Sequence, residues 1–230
     1  MIVEVNHISK RYGAVQALDD ISFSVKEGEL FGLIGPDGAG KSTMFRILTT
    51  LITADSGSAS VCGLDVIQDY TAIRKRVGYM PGRFSLYPDL SVEENMNFFA
   101  SLFGTTIEEN YELVAPIYRQ IEPFKKRRAG KLSGGMKQKL ALSCALIHKP
   151  DVLMLDEPTT GVDVVSRVEF WDMLDNLRKQ GITIIVSTPY MDEAQRCDRI
   201  AVVHEGKVLD IREPKGFNDE AFIELLQRKD

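Results

Sequence analysis

The chain has 230 residues and a formal net charge of −5, and 44% of its residues are hydrophobic and 27% are charged. This composition excludes disordered and low-complexity chains, and the length allows a large core without disulfide or metal crosslinks. The acidic balance disfavours binding to duplex DNA through bulk charge. Cys62, Cys144 and Cys197 are widely spaced, which favours a reducing compartment over a disulfide framework or a zinc site. Because the N-terminus lacks the apolar region of a signal peptide, a soluble protein is expected.

Short apolar runs with turn residues between them predict the strands of the chain. In order, strands are predicted at residues 2–5, 21–25, 30–34, 58–62, 77–80, 152–155, 182–186, 200–203 and 208–211. The last two flank Glu205-Gly206 and predict a hairpin. Because strands alternate with helical patterns, we expect a mostly parallel α/β sheet with antiparallel pieces near the start.

Apolar residues at helical spacing predict the helices. One helix follows Gly40 through Met44, Ile47, Leu48 and Leu51, and residues 90–148 are largely helical, with a capping box at Ser91–Glu94 and a run through Phe98, Phe99 and Leu102. A later helix is predicted to carry one apolar face, formed by Val164, Val168, Trp171, Leu174 and Leu177. A short exposed helix is expected from Phe217 onwards.

A glycine-rich segment lies between the third predicted strand and the first predicted helix, and it matches the complete P-loop pattern. Its small residues let backbone N–H groups turn towards phosphate oxygens at the positive end of the following helix. Lys41 is predicted to reach the β- and γ-phosphates, and the Ser42 hydroxyl to bind Mg²⁺. The predicted nucleotide-binding residues of this segment are Gly35, Pro36, Asp37, Gly38, Ala39, Gly40, Lys41, Ser42 and Thr43.

The buried strand predicted at 152–155 leads into two carboxylates, Asp156 and Glu157. Beside a P-loop, Asp156 is placed to hold Mg²⁺ through water. Glu157 is then the natural group to orient or deprotonate the attacking water. Glu157 and Lys41 are therefore the predicted catalytic residues.

A second helix N-terminus suited to an anion follows a serine and two glycines in the middle of the chain. The segment comprises Leu132, Ser133, Gly134, Gly135 and Met136. One nucleotide has no use for two such sites in the same subunit. We therefore expect this loop to close over a nucleotide held by another subunit.

Over essentially the whole chain, these motifs resemble the nucleotide-binding subunit of ABC transporters. Their order is similar to that of the family: Walker A at Gly35–Ser42, the signature loop at Leu132–Met136, Walker B at Val152–Glu157 and the D-loop at Gly161–Asp163. The resemblance implies a P-loop NTPase of the ABC ATPase fold, with a RecA-like core, an N-terminal antiparallel β subdomain and an inserted helical signature subdomain. It also implies one ATP-binding domain over residues 1–230, with the helical subdomain at about 88–148.

The same resemblance implies the cofactors and partners of the chain. ATP and Mg²⁺ would be the cofactors, and Tyr12 matches the aromatic residue that stacks on adenine. A second cassette and a transmembrane permease would be the partners, with no nucleic acid, and the permease would attach the chain to the inner face of the membrane. The Met form of the signature resembles ATPases of ABC-2-type, drug-resistance exporters. Asp37, where asparagine is usual, resembles the first cassette of a fused two-cassette ATPase, and the polar end at 227–230 suggests an excised cassette.

Two positions depart from the family pattern. Gly82 occupies the position of the glutamine that contacts Mg²⁺ and the lytic water, and Pro189 that of the switch histidine that contacts the γ-phosphate. Glycine has no side chain, and proline offers no donor from its side chain or backbone. The resemblance therefore implies a degenerate hydrolytic site.

Two alternatives to an exporter ATPase remain open on the sequence alone. A soluble ABC protein acting on ribosomes or DNA is disfavoured by the acidic balance and by the lack of long arms within the chain. A regulatory nucleotide-binding module with little hydrolysis of its own is favoured by Gly82 and Pro189 and opposed by Glu157.

Overall fold

The computed structural model describes residues 1–227, without the side chains of residues 219, 226 and 227. Most of the polar end, residues 228–230, lies outside the described residues. The strands are β1 (Val3–Tyr12), β2 (Val15–Val25), β3 (Leu30–Ile34), β4 (Ser56–Val61), β5 (Leu64–Asp65), β6 (Val77–Met80), β7 (Val152–Asp156), β8 (Thr183–Thr188), β9 (Arg199–His204) and β10 (Lys207–Arg212). The α-helices are α1 (Lys41–Leu48), α2 (Tyr70–Arg74), α3 (Val92–Leu102), α4 (Tyr111–Tyr118), α5 (Gly134–Leu146), α6 (Val164–Lys179), α7 (Met191–Ala194) and α8 (Asp219–Gln227).

The strands form two sheets. The larger has six strands in the order β10-β9-β3-β8-β7-β6, and all neighbours are parallel except β10, which pairs with β9 as an antiparallel hairpin. The smaller has four antiparallel strands in the order β2-β1-β4-β5. The predicted parallel sheet, early antiparallel pieces and terminal hairpin are thereby confirmed.

The central strands β3, β7 and β8 are buried along their full length. Because side chains alternate across a strand, each of these strands supplies both faces of the sheet. Phe31, Met154 and Ile185 join the core shared with α1 and the smaller sheet, whereas Leu155 and Val186 face the core shared with α5 and α6. Coverage of both faces is the reason why these strands are apolar runs without alternation.

The helical part of the chain, α3 to α5, packs beside this sheet. The predicted capping box of α3 is present: the Ser91 hydroxyl accepts from the amide of Glu94, and the Glu94 carboxylate accepts from the amide of Ser91. Helix α5 begins after Ser133 and lies against α3, α4 and β6. Among the helices of residues 1–227, none has the length and the apolar run needed to cross a bilayer.

Several expectations about helical faces are wrong. Val164 and Val168 are 73% and 53% exposed, because they lie on the first turns of α6, before the helix reaches the core through Trp171. Leu51 lies beyond the end of α1 and is exposed. The helix after Phe217 is not simply exposed: Phe217 is buried, and three side chains of α8 pack against the core, those of Ala221, Phe222 and Leu225.

Candidate active site

The candidate site lies where the carboxyl ends of three parallel strands meet. In the register of the large sheet, Ile34 at the end of β3 pairs with Thr188 of β8, and Asp156 at the end of β7 pairs with Ser187. Only β8 separates the glycine-rich loop that follows Ile34 from the two carboxylates at the end of β7, Asp156 and Glu157. Open parallel sheets commonly bind ligands at this edge.

Two glycines of the P-loop are required by its packing. A Cβ atom on Gly35 would lie 2.1 Å from the carbonyl oxygen of Val203, so a side chain would collide with β9. Gly40 has a φ of +108°, and its Cβ would lie 2.5 Å from the carbonyl oxygen of Ala17 on β2. The loop is thus pressed between both sheets, and its last glycine leads directly into α1.

Lys41 is the first residue of α1, and its side chain turns back under the loop. It is 3% exposed, and its Nζ donates to the carbonyl oxygens of Gly35 and Pro36 at 2.7 and 2.9 Å. The same ammonium lies 3.2 Å from Oε1 of Glu157. The P-loop lysine and the carboxylate after β7, predicted separately from the sequence, therefore meet in the structure.

The end of β8 holds the Asp156 carboxylate and the backbone of Glu157 at the end of β7. The Ser187 hydroxyl donates to Oδ1 of Asp156 at 2.7 Å and accepts from the amide of Glu157 at 2.9 Å. Asp156 is buried, whereas the Glu157 side chain is 23% exposed and reaches the cleft. Glu157 also has a φ of +47°, a left-handed backbone conformation that is uncommon outside glycine.

A cleft of about 790 Å³ opens over these groups. It is lined by Ser42, Arg46, Leu51, Tyr79, Pro81, Gly82, Arg83, Ser85, Phe99, Asp156 and Glu157. Burial, and secondarily the Asp156 carboxylate, raises the pKa of Tyr79 to about 12, so this phenol stays neutral at physiological pH. The cleft thus combines two arginines with the predicted serine and carboxylates.

The oxygen donors of the cleft fit Mg²⁺ that is shared with a phosphate. The Ser42 hydroxyl and the Asp156 and Glu157 carboxylates are hard ligands, and Mg²⁺ is usually bound by few protein groups together with substrate phosphates. Among the described residues, no group of three or more His, Cys, Asp or Glu side chains could enclose a metal alone. The donor set therefore fits an ion that enters with a nucleotide.

The two departures from the family pattern lie in different surroundings. Gly82 lines the cleft, and a Cβ atom there would lie 3.0 Å from the carbonyl oxygen of Asp156. Pro189 directly follows Thr188, the last residue of β8. Neither residue can offer a side-chain hydrogen-bond donor to a ligand in the cleft.

The signature segment is built as a helix N-terminus, as predicted. The Ser133 hydroxyl accepts from the amide of Met136 at 3.4 Å, and Ser133 and Gly134 are exposed while Leu132 is buried. A Cβ atom on Gly135 would lie 2.6 Å from Oγ of Ser166, because α5 packs closely against the start of α6. Over the part of the chain that the structure describes, the lining of the cleft includes none of Leu132–Met136.

Tyr12 lies at the tip of the hairpin formed by β1 and β2, where it pairs with Val15. The ring is 44% exposed, and Nζ of Lys10 lies 5.9 Å from its centroid. Because β2 touches the P-loop through Ala17, the hairpin lies beside the phosphate loop. An exposed aromatic face there is available for stacking.

The sequence alone does not identify the polar residues that hold the site in place through hydrogen bonds. Ser187 and Thr188 follow the apolar run Ile184–Val186 at the end of β8, and Glu193 is an acidic residue that is almost completely buried. The available signal is the pair of hydroxyl residues directly after Ile184–Val186, since polar side chains at the carboxyl end of a buried parallel strand often face a site.

Comparisons with known proteins match this geometry. The family model described as "ABC transporter" matches residues 18–160. The chain is 39% identical to the "Probable multidrug ABC transporter ATP-binding protein YbhF" of Escherichia coli K12, and the match covers 98% of this chain but 42% of that protein. It is 42% identical to the "Nod factor export ATP-binding protein I" of Burkholderia orbicola, over 89% of this chain and 68% of that one. The chain thus spans less than half the length of the YbhF relative.

Solved structures show the same architecture. An "ATP binding subunit of ABC transporter" superposes with a TM-score of 0.88 at 28% identity, over 98% of this chain and 99% of the other. The cassette MJ0796, solved as a dimer in "a post-hydrolysis state" with ADP and Pi, superposes with a TM-score of 0.83 at 26% identity, over 94% of this chain and 100% of that one. The two-sheet architecture with its helical part is therefore the fold of ATP-binding cassettes.

Proposed function

Because this chain belongs to the ABC transporter family and is one of its ATP-binding cassettes, we propose that ATP hydrolysis in the cleft beside Lys41 powers an exporter. In this proposal residues 1–230 are one ATP-binding domain, with its helical signature subdomain at about 88–148. The exported compound is set by the partner. The Nod factor export protein and the multidrug ABC transporter protein among the relatives support export as the direction.

One observation carries the proposal: Nζ of Lys41 lies 3.2 Å from Oε1 of Glu157 at the junction of the P-loop and β7. A lysine in this place can exchange its contacts with the loop carbonyls for the β- and γ-phosphates. Glu157, beside Lys41 in the lining of the cleft, would then face the same phosphates and could accept a proton from water. An intact carboxylate here favours hydrolysis over a purely regulatory role.

The remaining binding groups follow from the elements around the cleft. The amides of Gly38 to Thr43 would cradle the phosphates at the start of α1, and the adenine would stack on Tyr12. Ser42 and Asp156 would hold Mg²⁺, which neutralises charge on the β- and γ-oxygens when it is bound. Asp37 places a carboxylate in the same loop, where its negative charge would repel the negatively charged phosphates of the nucleotide.

The signature segment would complete the site of a second cassette. Ser133 and Gly134 are exposed at the N-terminus of α5 and lie outside the lining of the cleft of their own chain. A head-to-tail pair of cassettes would bring this helix N-terminus to the γ-phosphate held by the partner. The dimeric state of MJ0796 supports such a pairing.

We expect slow hydrolysis in the chain's own site. Gly82 and Pro189 remove two groups that would otherwise contact the lytic water and the γ-phosphate. Loss of one contact made to a transition state typically lowers the rate by about 10²–10³. The chain would therefore complete its partner's site better than it turns over its own nucleotide.

We propose that the permease is of ABC-2 type and that it binds an apolar groove of the cassette. The groove lies between the hydrophobic cores on the two faces of the large sheet. The groove has a volume of about 400 Å³ and is lined mainly by apolar side chains from the core and the helical part, among them Leu51, Phe99 and Leu102. Leu51 and Leu102 are 57% and 61% exposed, and Arg74 lies at the same groove. A cytoplasmic helix of the permease would cover these residues and attach the chain to the inner membrane face.

The proposal is tested by measuring phosphate release from MgATP by the chain and by Glu157→Gln. We expect Glu157→Gln to bind MgATP with unchanged affinity and to release phosphate at least about 100-fold more slowly. Co-purification with a membrane protein tests the exporter assignment, and recovery on ribosomes instead would contradict it.

A further inference from the structure

Glu193 is a buried carboxylate that joins three segments of the chain. It lies on α7 and is 2% exposed. Its Oε1 accepts from the Thr159 hydroxyl at 2.5 Å, and its Oε2 accepts from the Thr188 hydroxyl at 2.5 Å. The Nε of Arg167 in α6 donates to Oε1 of Glu193 at 3.1 Å, and the Nη2 of Arg167 lies 3.0 Å from the same oxygen. Every oxygen of this carboxylate is therefore engaged.

The two threonines are buried and lie close in the chain to residues of the candidate active site. Thr159 follows Glu157 by two residues, on the loop that leaves β7. Thr188 neighbours Ser187, which binds both Asp156 and the amide of Glu157. The carbonyl oxygen of Thr188 also accepts from the amide of Gly35 at 3.4 Å. Glu193 thus connects the loop carrying Glu157 to the strand end that supports the P-loop.

The backbone of Glu157 explains why such a connection matters. A φ of +47° is disfavoured for a residue with a side chain, and it persists only where the surroundings determine it. On the N-terminal side, Ser187 binds the amide of Glu157. On the C-terminal side, Thr159 is bound to Glu193. The amide of Thr160 also donates to the carbonyl oxygen of Glu157 at 3.2 Å. The contact between Thr159 and Glu193 fixes the loop two residues beyond Glu157, so its loss removes one of the attachments that hold this backbone.

Arg167 pairs with the Glu193 carboxylate in its buried place. An unpaired buried charge is strongly destabilising, whereas a paired and hydrogen-bonded one is tolerated. Arg167 also contacts Asp192 at 3.0 Å and lies 4.7 Å from the centroid of the Tyr190 ring. Asp192 itself is largely exposed, with 74% of its side chain accessible, and serves Arg167 from outside the cluster.

We propose that Glu193 is a positioning residue for ATP hydrolysis: through Thr159 and Thr188 it keeps Glu157 in its left-handed conformation, facing the P-loop. This inference rests on the proposed role of Glu157 as the base. It assigns no contact between Glu193 and the nucleotide. The consequence is an effect on turnover with little effect on nucleotide affinity.

The first test compares Glu193→Ala with Asp192→Ala as the matched control, which lies on the same helix and shares Arg167 but touches neither threonine. For Glu193→Ala we expect kcat to fall at least about tenfold, with the Kd for MgATP within about twofold of the unmodified chain. Asp192→Ala should leave both quantities within about twofold. An unchanged kcat in a folded Glu193→Ala variant would overturn the inference.

A second pair of variants decides the matter if Glu193→Ala does not fold. Thr159→Val keeps the shape of the side chain and removes the donor to Glu193, whereas Thr159→Ser keeps the donor. We expect Thr159→Val to lose turnover and Thr159→Ser to retain it. Equal turnover in the two variants would overturn the inference.

The double variant Glu157→Gln/Glu193→Ala separates positioning from general damage. If Glu193 acts through Glu157, the second substitution should cost almost nothing further, since residues acting as one unit are not additive. A further fall as large as in the unmodified background would overturn the inference. If Glu157→Gln alone leaves phosphate release unchanged, the proposed function fails, whereas an effect of Glu157→Gln but none of Glu193→Ala removes only the positioning role.

Discussion

The carbonyl oxygen of Thr188 accepts a hydrogen bond at 3.4 Å from the amide of Gly35, the first residue of the P-loop. Its neighbour Ser187 binds Asp156 and the amide of Glu157. The end of one buried strand, β8, therefore supports the phosphate loop on one side, and the Asp156 carboxylate and the backbone of Glu157 on the other. The P-loop and the residues at the end of β7 therefore depend on the same two residues, Ser187 and Thr188.

The first prediction concerns the contribution of Lys41 to binding of the nucleotide phosphates. Lys41→Ala should lower the affinity for MgATP about 100-fold or more, because charge-assisted hydrogen bonds contribute ~1.5–3 kcal/mol each. Isothermal titration calorimetry measures the effect. Lys139→Ala is a matched control, since Lys139 pairs with Glu169 outside the cleft, and its affinity should not change. Unchanged affinity in Lys41→Ala would rule out the P-loop assignment.

The second prediction concerns pairing of two cassettes. Glu157→Gln with ATP and a partner cassette should form a stable pair. Because this variant hydrolyses ATP slowly, the bound nucleotide stays between the P-loop of one chain and Ser133 of the other. Multi-angle light scattering measures the mass. Ser133→Asp keeps an N-cap for α5 but adds a negative charge towards the γ-phosphate, so this variant should bind ATP and stay monomeric. A monomeric Glu157→Gln protein would remove the main support for the composite site.

The third prediction concerns the two missing side chains. Gly82→Gln combined with Pro189→His should raise steady-state phosphate release about tenfold or more at similar affinity, since the added contacts act in the transition state. A Cβ atom added at residue 82 would lie 3.0 Å from the carbonyl oxygen of Asp156, so the loop must shift slightly to accept a side chain. Gly82→Ala measures that steric cost alone. Brisk turnover by the unmodified chain, unimproved by both substitutions, would show that the site is not degenerate.

The fourth prediction concerns pH and His148. Its ring stacks on Phe103 at 3.7 Å, and its Nε2 donates to the Val77 carbonyl at 3.2 Å. Burial lowers the pKa of His148, with the Val77 contact opposing. Because the folded pKa lies below the unfolded one, the stabilising contribution is complete above about pH 6.5 and is lost as pH falls towards the folded pKa.

His148→Gln keeps a donor near Val77 and removes this titration. Between about pH 7 and about pH 5, its free energy of unfolding should therefore fall less than that of the unmodified chain, as measured by chemical denaturation. Parallel pH curves for the two proteins would contradict the assignment.

The fold and the motif residues could be predicted because their signals are local. The P-loop glycines, the apolar run of β7 and the capping box at Ser91 each specify their own conformation within a few residues. The faces of α6 could not be predicted in this way. Helical spacing groups Val164 with Trp171, but only the distance of each turn from the core decides which of them is buried.

The hydrogen bonds that Glu193 makes beside the site could not be predicted from the sequence either. The Glu193 cluster joins Thr159, Thr188 and Arg167, which lie on three separate elements and meet only through the packing of α6 and α7 beside the sheet. No spacing in the chain encodes that meeting. The left-handed conformation of Glu157 was equally unpredictable, because its surroundings rather than its residue type impose it.

The role of Glu157 is tested by the rate of phosphate release from bound MgATP in a single turnover, compared between the unmodified chain and Glu157→Gln at equal nucleotide occupancy. We expect slow but measurable release by the unmodified chain, and release at least about 100-fold slower by Glu157→Gln. Equal rates in the two proteins would contradict the claim that Glu157, beside Lys41, carries out ATP hydrolysis.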